Sequence, residues 1–395
     1  MSAIAEQGAL GPRLASQADF PMTRDIVYLN QAAIGLVPTP VLSVMQRFTI
    51  ELGRMGTAVL DEDAEAELLD DVRRAAAGLI GAEQERIAIV SSASEALNQF
   101  AWWLKPGRGA NVVLLDGDFP SVTLPWLRLT EETGLDVRFV PTRDDPALAT
   151  VSALTEYVDA ETAAICVGHV QYATGHRLDL GLLTELATAA GAYLVVDGTQ
   201  SLGVVAVDVA ETPVDLLVAS SHKWLCAPHG AALVYIGRRL DDFRPPFVGW
   251  RGTVDQSDFD GRSLRLAAAA RRVELGTIAY GAGLALAAGI DYLETLGRSR
   301  VETHDLSLAK RLADGLADLE AVIVTPPLVE QRAAIVTARF PSLDANTVVE
   351  RLQKQRILAA ARQGAIRFGL HVFNDSDDVD AVLTALRQEM TARSL

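Results

Sequence analysis

The sequence predicts an α/β fold, a large domain on a mostly parallel seven-stranded sheet followed by a smaller α+β C-terminal domain. Three observations carry this. Short runs rich in Val, Ile and Leu alternate with helix-length amphipathic stretches through the middle of the chain. Those runs are apolar throughout rather than at every second residue, as in strands covered on both faces and joined by crossover helices. The last third changes pattern and pairs long helices with alternating strands.

The strand-like runs, in order, are Arg86–Val90, Asn111–Leu115, Val137–Val140, Ala163–Val167, Tyr193–Val196, Leu216–Ala219 and Ala231–Ile236. Helical patterns fall between most of them, at Glu95–Leu104, Ser121–Thr133, Ala149–Val158 and Leu180–Ala190. In the last third, Gly281–Leu296 is an alanine-rich helix and Ser307–Leu319 an amphipathic one. Strands follow at Ala334–Phe340 and Ala365–Leu370, with helices at Asn346–Gln355 and Val379–Met390. The expected organisation is an N-terminal segment, 1–30, packed on the small domain, a large domain at 31–289 and a small domain at 290–395. There is no internal repeat and no low-complexity linker.

The 395 residues carry 49% hydrophobic and 22% charged side chains, the composition of a folded globular chain. The formal charge of −16 repels phosphate backbones and anionic lipid, so neither nucleic acid nor a membrane is an expected partner. Two cysteines, Cys166 and Cys226, make neither a disulfide framework nor a cysteine-rich metal site, and no metal is expected. The N-terminus lacks the basic-then-apolar pattern of a secretory signal. The longest apolar run, Leu275–Ile290, contains four glycines and is too short to span a bilayer. A cytoplasmic location is expected.

Four segments lie where predicted strands end at their C-terminal edge, the edge at which open α/β sheets bind ligands. Ser91-Ser92-Ala93-Ser94 precedes a helix, whose first N–H groups suit a phosphate; the plainer reading is that Ser94 simply caps the helix. Asp197 ends the apolar run YLVV and needs a partner such as a protonated ring nitrogen, or else caps a turn. Lys223, in Ser220-Ser221-His222-Lys223, follows an apolar strand, where burial would make its amine nucleophilic; the alternative is an exposed loop lysine. Arg367 interrupts the apolar pattern of Ala365–Leu370 and suits a planar anion, or faces water from an edge strand. Together the four form a phosphate cradle, a ring-nitrogen carboxylate, a Schiff-base lysine and a carboxylate clamp, the set a pyridoxal phosphate (PLP) enzyme requires.

With those residues in hand, the sequence resembles the class V aminotransferase family of fold-type I PLP enzymes, within its cysteine desulfurase-like and isopenicillin N epimerase-like branch. The resemblance runs from Val27-Tyr28-Leu29-Asn30 to Phe373-Asn374 and is most specific in VVDGTQSLG and SSHKWLCAPHG, with Lys223 26 positions after Asp197. It implies that Lys223 forms the Schiff base and shuttles protons, that Asp197 pairs with the pyridinium nitrogen, and that Gln200 bonds the phenolic oxygen. It implies that Ala93, Ser94, Ser220 and His222 hold the phosphate, that Phe119 stacks on the ring, and that Gly276-Thr277 reaches the phosphate of a second subunit in a homodimer. Arg367 would bind the substrate α-carboxylate. Tyr28, Tyr172, Trp250 and Arg251 are candidate walls around the substrate or, alternatively, pack within their loops.

The loop His169–Gly175 departs from the pattern, with Gln171 and Tyr172 where relatives often carry Asn. Cysteine desulfurases need a reactive cysteine shortly before the carboxylate-binding arginine, and here LAAARQGAI contains none. The expectation is therefore an enzyme that acts on an α-amino acid through an external aldimine, without thiolate-dependent desulfuration. The alternatives are a PLP-dependent C–S lyase (β-elimination), an epimerase or a decarboxylating deaminase. From other classes, a cofactor-binding regulator and a structural oligomer are the rivals. Lys223 together with Asp197 favours the enzyme, and the chain contains no GxGxxG after the first strand and no GxxxxGK[ST].

Overall fold

The computed structural model describes residues 13–256 and 260–391. Residues 1–12, the first part of the expected N-terminal segment, lie outside the described residues. In chain order the elements are β1 (Val27–Tyr28), α1 (Thr39–Met55), α2 (Glu62–Glu67), α3 (Asp70–Ile80), β2 (Ile87–Val90) and α4 (Ala93–Leu104). Next come β3 (Asn111–Leu115), α5 (Pro120–Thr133), β4 (Asp136–Val140), α6 (Val151–Thr155), β5 (Thr162–Gly168) and α7 (Leu180–Ala190). They are followed by β6 (Tyr193–Asp197), β7 (Leu216–Ser220), β8 (Ala232–Ile236), α8 (Tyr280–Leu296) and α9 (Arg298–Ala317). The chain ends with β9 (Val322–Ile323), β10 (Ile335–Arg339), α10 (Ala345–Lys354), β11 (Ile357–Leu358), β12 (Ala360–Arg362), β13 (Ala365–Gly369) and α11 (Ser376–Thr391).

Seven strands form the large sheet in the order β2-β8-β7-β6-β5-β3-β4. Only β8 runs against the rest. β2, β3 and β8 are buried at every residue, as their unbroken apolar runs require. Alternate residues feed two cores, Ile87 and Ile89 on one face of the sheet, Ala88 and Val90 on the other. Because six strands run the same way, the C-terminal ends of β2, β3, β5, β6 and β7 gather along one edge. That edge builds the site.

The C-terminal region is a four-stranded antiparallel sheet, β12-β13-β10-β9, packed on α9, α10 and α11. The described part of the N-terminal segment, from Arg13 on, lies against the same region. Arg13 pairs with Asp375 at 2.9 Å and Asp378 at 3.3 Å, and β1 pairs with β11 in parallel.

Some expectations need correcting. α6 covers only five residues of the predicted 149–158 helix, because Pro146 opens a 3-10 turn and Thr150 caps the helix afresh. α9 starts at Arg298 rather than at 307: Gly297, at φ +86°, breaks α8 and α9 follows at once. α1 and α3, absent from the sequence reading, pack against α8. Val41, Val44, Met45, Phe48, Leu52 and Met55 of α1 do fall at helical spacing, a stripe the sequence reading passed over, although of its seventeen residues only Val41 is buried.

Candidate active site

A cleft of about 450 Å³ opens on the C-terminal strand edge. Lys223, Asp197, Phe119, Tyr172, Gln200 and Arg367 all line it. Lys223 follows β7 and is 9% exposed. Its Nζ lies 5.3 Å from the centre of the Phe119 ring, a cation–π distance. Burial lowers its amine to about 8; the Asp197 carboxylate opposes that shift, and Arg367 and Arg362 add to it.

Asp197 is the last residue of β6, and register places it between Gly168 of β5 and Val218 of β7. Its Oδ1 accepts the Thr199 N–H at 2.9 Å, and the Thr199 hydroxyl accepts the Ser220 N–H at 3.1 Å. Gln200 is oriented by its neighbours. The Trp224 indole donates to Gln200 Oε1 at 2.7 Å, so the amide nitrogen faces the other way. That nitrogen gives one N–H to Ala32 O at 3.0 Å and retains a second.

The end of the cleft at the N-terminus of α4 is hydroxyl-rich. The cap falls on Ser92 rather than on the expected Ser94: Ser92 Oγ accepts the Glu95 N–H, and Ser94 lies inside the first turn of α4. The Ser220 Oγ lies 3.4 Å from the Ala93 N–H, and the Ser94 and Ser121 hydroxyls meet at 2.7 Å. The His222 ring stacks on His229 at 4.2 Å. Burial, then the Lys223 charge, lowers His222 to about 4, so it is neutral at pH 7.

At the opposite end, Arg367 is 2% exposed. Its Nη1 donates to Tyr172 O at 2.7 Å, while its buried Nη2 has no partner. Burial, then Arg362, lowers its guanidinium to about 10. The edge-strand reading of this arginine is excluded, since β13 lies between β12 and β10. The Tyr172 ring meets Phe119 edge-on at 5.4 Å.

Two charged side chains in the cleft lay outside the sequence-based site set. Asp118, three residues past the end of β3, is 4% exposed and accepts the Gln171 Nε2–H at 2.7 Å and the Gly168 N–H at 3.2 Å. Burial raises it to about 8, and the nearby Asp197 charge adds to the rise. Its signal was an acid at the C-terminal end of an apolar strand. The second is Arg362, whose guanidinium donates to Ala361 O at 2.7 Å. Gln363 (φ +49°) and Gly364 (φ +72°) make a two-residue hairpin turn with both residues left-handed. The resulting register, Arg362 opposite Ala365 and Ala360 opposite Arg367, puts both arginines on one face.

Other candidates are placed elsewhere. Tyr28 does not line the cleft; its hydroxyl donates to Ile34 O at 2.5 Å and its ring packs on Phe373. Arg251 is fully buried against the Tyr280 hydroxyl and Glu65 O, which removes it from any substrate wall. Trp250 and Thr277 also lie outside the cleft lining of the single chain. Cys166 and Cys226 are both free and buried, and burial pushes the Cys166 thiol far up.

The aminotransferase class-V family model matches residues 27–382. A "Probable cysteine desulfurase" of Pyrococcus abyssi is 29% identical over 94% of this chain and 96% of its own. The apo structure of a cysteine desulfurase from Thermococcus onnurineus NA1 superposes with a TM-score of 0.85 at 29% identity, over 95% of this chain and 97% of that one. The cystine C–S lyase C-DES was solved with its product cysteine persulfide. It superposes at 0.85 with 22% identity, over 93% of this chain and 98% of that one. A C-DES mutant carrying glycine covalently linked to its PLP cofactor superposes at 0.87 with 21% identity, over 94% of this chain and 99% of that one. Relatives named as cysteine desulfurases span nearly the whole chain, so the comparisons lend no support to setting that activity aside.

Proposed function

The chain belongs to the class-V aminotransferase family and is a PLP-dependent enzyme, and from that premise we propose that it breaks a bond at Cα of an α-amino acid without using a thiolate of its own. One observation carries the reading: a buried lysine with a lowered pKa shares a cleft with a buried arginine whose Nη2 is unpartnered.

The donor set fits the cofactor. Ala93, Ser94, Ser220 and His222 would hold its phosphate at the start of α4, where the helix dipole favours anions. Asp197 would hold the ring nitrogen in its protonated form, and the second Gln200 N–H would meet the phenolic oxygen. Phe119 would cover the ring face. When bound, PLP supplies an electron sink for negative charge at Cα.

The chain's own residues do the rest. With its amine at about 8, Lys223 is uncharged in about one molecule in ten at pH 7, so Nζ can accept the Cα proton and return it elsewhere. Arg367 has a free guanidinium edge for the substrate carboxylate, and a bidentate pair there fixes the orientation of the Cα bonds. Tyr172 steadies that guanidinium through its carbonyl. Arg362, on the same hairpin face, suits a substrate with a second anionic group.

Among the Cα outcomes, β-elimination at a C–S bond is favoured by the likeness to C-DES and by the state of the two thiols. Cys166 is in β5 and Cys226 is fully buried. The stretch before Arg367 is a two-residue turn, leaving no loop to carry a sulfur acceptor. Elimination breaks Cα–H and Cβ–S and, with one water taken up, converts cysteine to pyruvate, ammonia and hydrogen sulfide. Desulfuration would leave alanine and a persulfide on the protein. The test is product analysis with cysteine and cystine, on the parent and on Cys166→Ala/Cys226→Ser. Pyruvate and ammonia, unchanged in the double variant, are expected. Alanine formed by the parent and lost in the double variant overturns the reading.

The same proposal includes a homodimer, supported by exposed Phe247, Val248, Trp250, Val254 and Leu264, of which Trp250 lies beside Gly276. Two buried free thiols suit a reducing compartment, and we place the enzyme in the cytoplasm.

A further inference from the structure

The loop that carries Lys223 is held by three successive backbone carbonyls, each capped from a distant part of the chain. Gly35 N–H donates to His222 O at 2.8 Å. Gln31 Nε2 donates to Lys223 O at 2.9 Å. The third carbonyl, Trp224 O, lies 3.2 Å from Nε2 of His371, just past β13, the strand that carries Arg367. The fit is close: a Cβ on Gly35 would lie 2.1 Å from Lys223 O, and one on Gly203 2.3 Å from Trp224 O.

His371 is fully buried, and its other ring nitrogen, Nδ1, lies 2.6 Å from Asp305 Oδ2 on α9. A carbonyl and a carboxylate can only accept, so the ring must donate from both nitrogens, and only the imidazolium does that. The charged groups around it complete the picture. Asp305 is fully buried, and its second oxygen meets His304 Nδ1 at 2.9 Å. The Cys226 thiol comes from the lysine loop, and the Trp224 and Phe373 rings close the cage edge-on. The chain of contacts continues into the cleft, because the Trp224 indole fixes the Gln200 amide.

We propose that His371, protonated and paired with Asp305, is a positioning residue that clamps the Lys223 loop and, through Trp224, sets the orientation of Gln200. Burial works against the charge, but the Asp305 carboxylate and Cys226 together outweigh it and hold the imidazolium up to about 10. The C-terminal region thereby delivers two groups to one site, Arg367 to the substrate and His371 to the lysine's backbone. The inference rests on Lys223 being the reactive amine.

The experiment has three arms. In the apoprotein with 15N-labelled histidine, both His371 nitrogens should carry protons from about pH 6 to about pH 9, with the resonance assigned by its loss in His371→Gln. A neutral ring in that range overturns the proposal. In the holoenzyme, His371→Gln should lower kcat by about ten- to hundredfold, the scale of a small misplacement of a reacting group. KM for the amino acid should stay within about threefold, since Arg367 is untouched. An unchanged kcat, or a loss confined to KM, overturns it. In the apoprotein, the pH at which Lys223 reacts with an amine reagent should shift in His371→Gln, and an unmoved titration overturns it. Should His371→Gln fail to fold, Asp305→Asn serves for the same kinetic and labelling arms. Turnover surviving in Lys223→Ala would instead bring down the assignment of the lysine and leave the NMR result standing.

Discussion

At the scale of single residues, the site depends on burial acting on charge. Lys223, Asp118 and Arg367 are each pushed toward their neutral form by the same low-dielectric cleft. Asp118 has a pH signature. Its carboxyl is raised to about 8 in the folded chain, so the unfolded chain ionises first, and the stability it contributes falls as pH rises from about 4 to about 8. Asp118→Asn should flatten the stability curve across that window, as read by thermal unfolding of the apoprotein; an unaltered slope would contradict the assignment. Arg367 is tested by affinity. Losing a charged hydrogen bond costs about 1.5–3 kcal/mol, so Arg367→Ala should weaken amino-acid binding roughly ten- to hundredfold. Arg367→Lys should not restore it, because an ammonium cannot make the bidentate pair. An unchanged apparent affinity in Arg367→Ala would remove the clamp.

At the scale of elements, strand ends were legible in the sequence and close approaches were not. Asp197, Lys223 and Arg367 could be named because polar residues at the end of, or inside, apolar runs stand out. Asp118 followed such a run too, but Gly117 intervenes and the aromatic beside it drew attention instead. Arg362 could not be weighed until the left-handed pair Gln363–Gly364 fixed a two-residue turn and set it on the face of Arg367. Tyr28 was misplaced because proximity in a motif does not say which way a ring turns; here it turns onto Phe373. The glycines under the lysine loop were equally silent. Gly203 has φ +104° and its missing side chain leaves room for Trp224 O. Gly203→Ala should cost about 2 kcal/mol or more, from the left-handed backbone and the clash together. Denaturant unfolding of the apoprotein measures this, and a loss within about 0.5 kcal/mol, as for a neutral surface change, would show that the loop yields.

At the scale of the whole molecule, the alternation of apolar runs and helices specified the seven-stranded sheet, since each run needed cover on both faces. The short strands β1, β9, β11 and β12 had no such signal, being only two or three residues long. Thr277 lies outside the cleft of its own chain, while Phe247, Val248, Trp250, Val254 and Leu264 are exposed and Trp250 lies beside Gly276. A second copy placed there would bury them and bring Thr277 to the partner's phosphate end. Phe247→Asp with Leu264→Asp should therefore yield a monomer of low activity by light scattering and assay. A fully active monomer would show each chain to be self-sufficient.

Whether Lys223 is the amine that joins the cofactor is tested by one measurement. Protein loaded with PLP is reduced with borohydride, digested and mapped by mass spectrometry. The pyridoxyl group is expected on Lys223, and it is expected to be absent, with loss of turnover, in Lys223→Ala. A pyridoxyl group on Lys105, Lys310 or Lys354, with Lys223 unmodified, would contradict it.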